Sequence, residues 1–208
     1  MTFIINEYWH FFLLIIFAAS AVGFFAGLFG IGGGLISVPC LFFIFETLNF
    51  DKNFLMHLTV GTAFTITIFT STVSVMTHNK NKLVDFSVVK TFGIFVVIGV
   101  LAGTFFASIM KTKTLVLFFS VVVYFFGAYL MMAQEKVKKI KPNSSIAPRV
   151  ILGLISGFVS APMGITGAMM NVPILRYLGY PISKCIGSAA AIGFFISFTG
   201  SIGFLISG

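Results

Sequence analysis

Charged residues are scarce in this sequence of 208 residues: they make up 9% of the chain, against 58% hydrophobic residues. A soluble domain carries about 25% charged residues, so this composition excludes a globule whose surface is covered by polar groups in water. The mean hydropathy of +1.10 points the same way. We therefore expect an integral protein of the cell (inner) membrane that crosses it several times.

Cysteine, histidine and acidic residues are too few for most catalytic or metal chemistry. The chain has 2 cysteines, 3 histidines and 5 acidic residues. The histidines have no spacing that indicates a metal site, and no histidine follows the "GITG" peptide that could activate a nucleophile there. We expect no catalytic residues, no bound metal and no cofactor, so the chain is not predicted to be an enzyme.

Long apolar runs are what the sequence does contain. They cover residues 9–45, 54–77, 91–110, 114–134, 150–175 and 185–208. Each run can supply the roughly 20 residues that a membrane-spanning helix needs, and none shows an alternating period. The expected fold is an all-α, polytopic bundle of transmembrane helices with an internal repeat and helices broken by glycine and proline.

The thirteen basic residues lie mostly in short loops, which is the pattern of a membrane protein rather than of a nucleic-acid-binding protein. The densest cluster, "EKVKKIKPNSSIAPR" at residues 135–149, is predicted to be a cytoplasmic linker. Specific binding of anionic lipid by this linker is a weaker alternative. The linker separates a first repeat, residues 1–134, from a second and incomplete repeat, residues 150–208.

The repeat is visible in two pairs of segments. "GFFAGLFGIGGGLISVPCL" at 23–41 aligns without gaps with "GFVSAPMGITGAMMNVPIL" at 157–175, at a constant offset of 134 residues. Further on, "VGTAFTITIFTSTVS" at 60–74 aligns with "IGSAAAIGFFISFTG" at 186–200. Apolar segments interrupted by glycine and proline at corresponding positions of two repeats are the sequence sign of a secondary transporter.

The glycines of these segments indicate where an anion could bind. Each interior glycine costs a helix about 1 kcal/mol, yet the peptide 27–41 has five glycines in the middle of an apolar run. Broken backbone survives in hydrocarbon only where protein or water encloses it, and the helix that follows presents a partly positive N-terminus. We expect both peptides to be non-helical and to face each other near the bilayer midplane.

The same residues resemble a known family. "GLFGIGGGLISVP" is similar to the first signature of the sulfite exporter TauE/SafE family, and "GFVSAPMGITGAMMNVPILRYLGYPISKCIGSAAA" is similar to the second. The resemblance implies a multi-pass transporter of small anions, sulfur-containing oxyanions or organosulfonates and carboxylates, coupled to an ion gradient. It leaves the anion and the direction of transport open.

The candidate substrate-binding residues come from the two peptides and the helix after each. The resemblance carries over Gly30, Gly32, Gly33, Gly34 and Pro39 in the first peptide, and Gly164, Gly167, Asn171 and Pro173 in the second. Thr166 could donate its hydroxyl to an anion. Thr62 and Ser188, at matching positions, could line the pathway, although such hydroxyls often bond to a carbonyl of their own helix. Gly23 and Gly27 are interpreted as helix-packing residues.

The second repeat departs from the pattern. Thr166 and Ala168 stand where glycines are expected, and the repeat has no counterpart of the runs 91–110 and 114–134. An alternative function is therefore a non-transporting remnant, or a half-assembly that needs a partner chain. We expect no robust transport by the 208-residue chain unless it self-associates, so a homo-oligomer stays open beside small anions and membrane lipid as partners.

The relative orientation of the repeats is also open at this stage. If each broken segment crosses the membrane once and then re-enters it, the first repeat makes four crossings and the copies are parallel. If the broken segment crosses twice, five crossings would invert the copies, as in many transporters.

Overall fold

The computed structural model describes residues 9, 15–17, 19–24, 33–132 and 146–207. Within those residues all regular structure is helical. The helices from residue 34 onward are α1 (Gly34–Thr47), α2 (Leu55–Lys80), α3 (Phe86–Ser108), α4 (Thr112–Met132), α5 (Ile146–Met163), α6 (Ala168–Tyr177) and α7 (Ile182–Ser207). Five of them, α2, α3, α4, α5 and α7, are long and apolar enough to cross a membrane. The predicted all-α polytopic bundle is confirmed.

Local chemistry sets several helix ends. The Asp85 carboxylate accepts a hydrogen bond from the Ser87 N–H at 3.1 Å, so α3 begins five residues before the apolar run predicted at 91–110. The helix α6 ends with Gly179 in the left-handed conformation (φ 94°). There the Tyr180 and Gly179 amides bond back to the carbonyls of Leu175 and Arg176, which closes a Schellman motif.

The prediction that both repeated peptides are non-helical is wrong for most of the second peptide and for residues 34–41 of the first, whose residues 25–32 lie outside the described part of the chain. In the second peptide only residues 164–167 interrupt the helix, and both prolines lie inside helices, Pro39 in α1 and Pro173 in α6. A proline removes one backbone hydrogen bond, and packing of a helix can outweigh that loss. Val38, next to Pro39, is 1% exposed, which shows how firmly α1 is packed there.

The helices α2 and α7 form an antiparallel pair in the core. Both have 26 residues, and they are the matching helices of the two repeats. The His57 and Phe204 rings lie 6.4 Å apart, and the Thr65 and Ser201 hydroxyls lie 3.0 Å apart. Residue numbers therefore rise along α2 as they fall along α7. Of the two arrangements left open by the sequence, the inverted one is observed.

The helices α3 and α5 run parallel and touch through glycines. A Cβ on Gly103 would lie 2.5 Å from the Phe158 carbonyl oxygen, and one on Gly157 would collide with the Val96 carbonyl oxygen. Small residues at four-residue spacing allow such close approach of helices in membranes. On another face α3 packs against α7, where Gly203 approaches Thr104. A helix of the first repeat is thus held by two helices of the second.

Because α3 and α5 touch through glycines, one methyl group added at this contact should lower the stability of the protein. Gly157→Ala is expected to destabilise the protein by about 1–3 kcal/mol, because its Cβ has no room beside the α3 backbone. The measurement is the Tm of the purified protein in detergent. Gly127→Ala on α4 is the control, because no atom of the described residues lies within 4 Å of a Cβ added there. An equal Tm for both variants would contradict the packing account.

Candidate functional site

The break between α5 and α6 is a buried four-residue peptide, residues 164–167. The helix α5 ends in a Schellman motif: the Ile165 amide bonds to the Ser160 carbonyl and the Gly164 amide to the Ala161 carbonyl. This motif needs a left-handed residue, and Gly164 has φ 66°. A Cβ on Gly164 would also lie 2.9 Å from the Val38 side chain. Glycine is required here by conformation and by space.

The first glycine peptide touches this break. A Cβ on Gly34 would lie 2.6 Å from the Gly164 carbonyl oxygen and 2.9 Å from the Ile165 Cα. The expectation that the two peptides face each other is confirmed at these residues. The candidates Gly30 and Gly32 lie outside the described residues, while Gly33 is half-buried and no described atom lies within 4 Å of a Cβ added to it.

Two helix N-termini point toward this contact. Gly33 is the N-cap of α1 and Gly167 is the N-cap of α6, at matching positions of the repeat, and no side chain caps either helix. The helix α1 leads to the start of α2, and α6 leads to the start of α7. Because α2 and α7 are antiparallel, α1 and α6 leave the contact in opposite directions. The positive end of each helix dipole is therefore the end nearer to this contact.

The break lies against the middle of α7. A Cβ on Gly193, the twelfth of the 26 residues of α7, would lie 2.9 Å from the Thr166 carbonyl oxygen. A helix of that length spans about 39 Å, enough to cross a bilayer. The position agrees with the expectation that the site lies near the midplane.

Asn171 places an unpaired donor in the first turn of α6. Its side chain is 0% exposed, and Oδ1 accepts a hydrogen bond from the Ser156 hydroxyl at 2.5 Å. Nδ2 finds no hydrogen-bond partner among the described residues, and a Cβ on Gly167 would lie 2.6 Å from it. A buried donor without a partner costs about 1–3 kcal/mol, which a bound acceptor would offset.

The electrostatics of the interior are those of neutral dipoles. Over the described ranges, the buried polar residues are serines, threonines, Asn171 and His57, with no aspartate, glutamate, lysine or arginine among them. An anion at this contact would therefore be held by backbone amides, hydroxyls and one carboxamide rather than by a buried cation.

The remaining candidates in the glycine peptides and α2 lie at different distances from this contact. Thr166, 6% exposed, belongs to the break itself. Thr62 is half-buried on α2, two residues after Val60, whose Cγ1 would lie 3.3 Å from a Cβ on Gly164. Pro39 is exposed on α1 and Pro173 is half-buried on α6, so neither proline ring is enclosed at the contact between the two glycine peptides.

Ser188 is not brought to the glycine peptides. It lies near the start of α7, and its hydroxyl accepts a hydrogen bond from the Asp85 N–H at 3.0 Å. It thereby holds the turn between α2 and α3, and Gly187 beside it packs on the Leu83 backbone. A role in substrate binding stays a prediction for Ser188. The sequence did not indicate Ser156, because a single serine in an apolar run has no pattern.

A small cavity lies beside the break, between α4, α5 and α6. It is lined by Val122, Phe126, Ser160, Met163, Ile165, Met169 and Met170. The Ser160 hydroxyl points to the Met170 sulfur, 3.9 Å away. The lining is apolar apart from this hydroxyl, so the cavity suits an apolar group rather than a charge.

These features define a class: multi-pass helical membrane proteins with inverted repeats and broken helices. A family model, sulfite exporter TauE/SafE, matches residues 15–208. The chain therefore belongs to the sulfite exporter TauE/SafE family, as its resemblance predicted. No solved structure matches the chain.

Relatives from distant organisms agree with this assignment. A probable membrane transporter protein of Haemophilus influenzae is 31% identical over 202 residues, which cover 95% of this chain and 75% of the relative. One from Methanocaldococcus jannaschii is 28% identical over 195 residues, covering 93% and 71%. One from Bacillus subtilis is 22% identical over 216 residues, covering 95% and 79%. The chain is a membrane protein of a transporter family.

The two matching N-caps predict different responses to alanine. Gly167→Ala should lower the stability by about 1–2 kcal/mol, because an L-residue is strained in the left-handed conformation at φ 73°. Gly33→Ala is the matched control, since Gly33 has φ −59° and open space around its Cβ position. Thermal melting of both variants in detergent provides the measurement. A similar loss of Tm in both variants would contradict the difference in backbone conformation between Gly33 and Gly167.

Proposed function

We propose that this protein transports a small anion, a sulfur-containing oxyanion or an organosulfonate or carboxylate, through a site between the N-termini of α1 and α6. The observation that carries the proposal is that α1 begins at Gly34, which contacts the Gly164 carbonyl, and that α6 begins four residues after Gly164. Helix N-termini bind anions through their free amides and their dipoles.

The donors around this contact suit an oxyanion. Each oxygen of such an anion accepts hydrogen bonds, and the site offers backbone amides, the Thr166 hydroxyl and the unpaired Asn171 Nδ2. Gly33 leaves the backbone at the start of α1 open, since no described atom lies within 4 Å of a Cβ added there, while Gly34, Gly164 and Gly167 allow the close packing around the break. Because these groups are neutral, the anion is held without a permanent ion pair and can be released when the helices move.

The family name supports sulfite as the first anion to test and export as the first direction. Coupling to an ion gradient is part of the proposal, since discontinuous helices in inverted repeats are the usual architecture of gradient-driven transporters. A pseudo-symmetric pair of repeats around one site provides alternating access by a rocking motion of one repeat against the other.

We also propose that the linker 135–149 lies in the cytoplasm, with the protein in the inner membrane. The Arg149 guanidinium donates to the Tyr180 hydroxyl at 3.0 Å, so the start of α5 and the turn before α7 share one end of the bundle. Lys184 and Asp85 form an ion pair at 3.8 Å at that end, beside the basic turn 80–85. The positive-inside rule assigns this end to the cytoplasm.

The proposal predicts that Gly33→Leu abolishes transport while the protein still inserts and folds. The leucine enters open space beside the α1 N-terminus, so it blocks the amides without displacing neighbours. The measurement is flux of labelled sulfite, thiosulfate and sulfonates in proteoliposomes, with and without a proton gradient.

Gly127→Leu on α4, where an added Cβ also meets no atom within 4 Å, is the control and should transport like the unmodified chain. Equal flux by Gly33→Leu would refute the role of the α1 N-terminus. Absence of flux of any of these anions with the unmodified chain would contradict the proposed function itself.

A further inference from the structure

One side chain that can carry a positive charge is buried close to the broken helix. His57 on α2 is 8% exposed, and the buried residues of the described ranges include no lysine or arginine. His57 lies three residues before Val60, which is about one turn of the helix. The Cα of Val60 would lie 3.4 Å from a Cβ added to Gly164. His57 therefore belongs to the turn of α2 next to the one that covers the break.

The hydrogen bond of the His57 ring determines which nitrogen is free to take up a proton. Nε2 lies 3.0 Å from the carbonyl oxygen of Ala107, near the end of α3. A carbonyl oxygen only accepts hydrogen bonds, so Nε2 carries the hydrogen and donates it. In the neutral ring Nδ1 is then an unprotonated acceptor, and it is buried without a hydrogen-bond partner among the described residues. A proton can therefore bind Nδ1 without breaking the bond to Ala107.

The surroundings of the His57 ring are apolar. Its centroid lies 6.4 Å from that of the Phe54 ring, in the turn before α2, and 6.4 Å from that of the Phe204 ring on α7. No carboxylate of the described residues forms an ion pair with it. A buried imidazolium without a countercharge costs free energy, and a nearby anion lowers that cost. A proton on Nδ1 and an anion at the break would therefore stabilise each other.

The other charged and titratable groups on the elements around the ring lie away from it or in solvent. On the helices they lie at the far ends: His78 and Lys80 on α2, Lys90 on α3, and Lys184 and Cys185 on α7. Those of the adjoining segments are exposed: Glu46, Asp51, Lys52, Lys111 and Lys113. The Cys185 thiol is buried, but it becomes an anion when it ionises and could not balance another anion. Among these groups, His57 is the one that can place a positive charge next to the break.

We propose that His57 binds a proton whose binding is coupled to that of the transported anion; this inference rests on the proposed anion site. A proton from water adds to the lone pair of Nδ1, the ring gains one positive charge, and the proton leaves Nδ1 again when the anion leaves. The imidazolium supplies the full positive charge that the neutral dipoles of the site lack. Because such coupling is reciprocal, the anion strengthens proton binding by the same factor. The ion gradient of the proposed transport is then a proton gradient.

The test is isothermal titration calorimetry of anion binding to the purified chain in detergent. Selenate and thiosulfate are the probes, because their charge stays constant near neutral pH, unlike that of sulfite. Histidine gains its proton in this range, so the unmodified chain should bind both anions at least about tenfold more tightly at about pH 5.5 than at about pH 8. Titrations in two buffers of different ionisation enthalpy should show proton uptake of up to about one per anion bound.

His57→Gln should remove this pH dependence and leave the affinity at the value that the unmodified chain has at about pH 8. The glutamine amide can still donate a hydrogen bond to the Ala107 carbonyl, but it cannot take up a proton. His78→Gln, at the far end of α2, is the matched control and should keep the pH dependence. Melting curves check that both variants are folded.

Nitrogen NMR of the His57 ring gives a second measurement that needs no change at residue 57. In a chain with His10→Gln and His78→Gln, selenate should raise the pH at which Nδ1 takes up its proton. Three results would overturn the coupling and leave the anion site in place: equal affinities at both pH values, a pH dependence that survives in His57→Gln, or a His57 titration that selenate does not shift. Binding of neither anion at any pH would contradict the proposed anion site, and the coupling with it.

Discussion

The structure depends on one constraint: a backbone group without a hydrogen-bond partner cannot face hydrocarbon, where it costs several kcal/mol. The chain breaks a helix at residues 164–167, in the middle of the bundle, and every residue of the break is buried. The helix α1 covers it with Val38, α2 with Val60 and α7 with Gly193 and Ile196. The matching helices of the two repeats therefore meet around the break.

Enclosing a break leaves little room for side chains, and this explains where the glycines lie. Gly34 allows α1 to reach the Gly164 carbonyl, and the glycines between α3 and α5 bring those helices into backbone contact. The inverted arrangement then directs two helix N-termini to one place. The packing that shields the break also produces a group of neutral dipoles. Within it, the Ser156 hydroxyl orients the Asn171 side chain. The residues that shield the break are thus the same residues that the proposed anion site uses.

Much of this arrangement could be predicted from the sequence because its signals are local. Apolar length predicts the helices, and a gap-free alignment of the two repeats predicts that their glycine peptides face each other. The helical course through Pro39 could not be predicted, because packing against α2 outweighs the local preference of proline. The pairing of Ser156 with Asn171 and the position of Ser188 at a turn depend on the orientation of helices distant in sequence, which no local pattern encodes.

The central claim is that an anion binds between the N-termini of α1 and α6. The most direct measurement is an experimental structure of the protein soaked with selenate, an oxyanion whose selenium can be located by anomalous scattering. The account predicts a selenium peak within hydrogen-bonding reach of the first-turn amides of α1 or α6 and of the Asn171 Nδ2. A peak confined to the bundle ends, with the contact between the two glycine peptides empty, would contradict it.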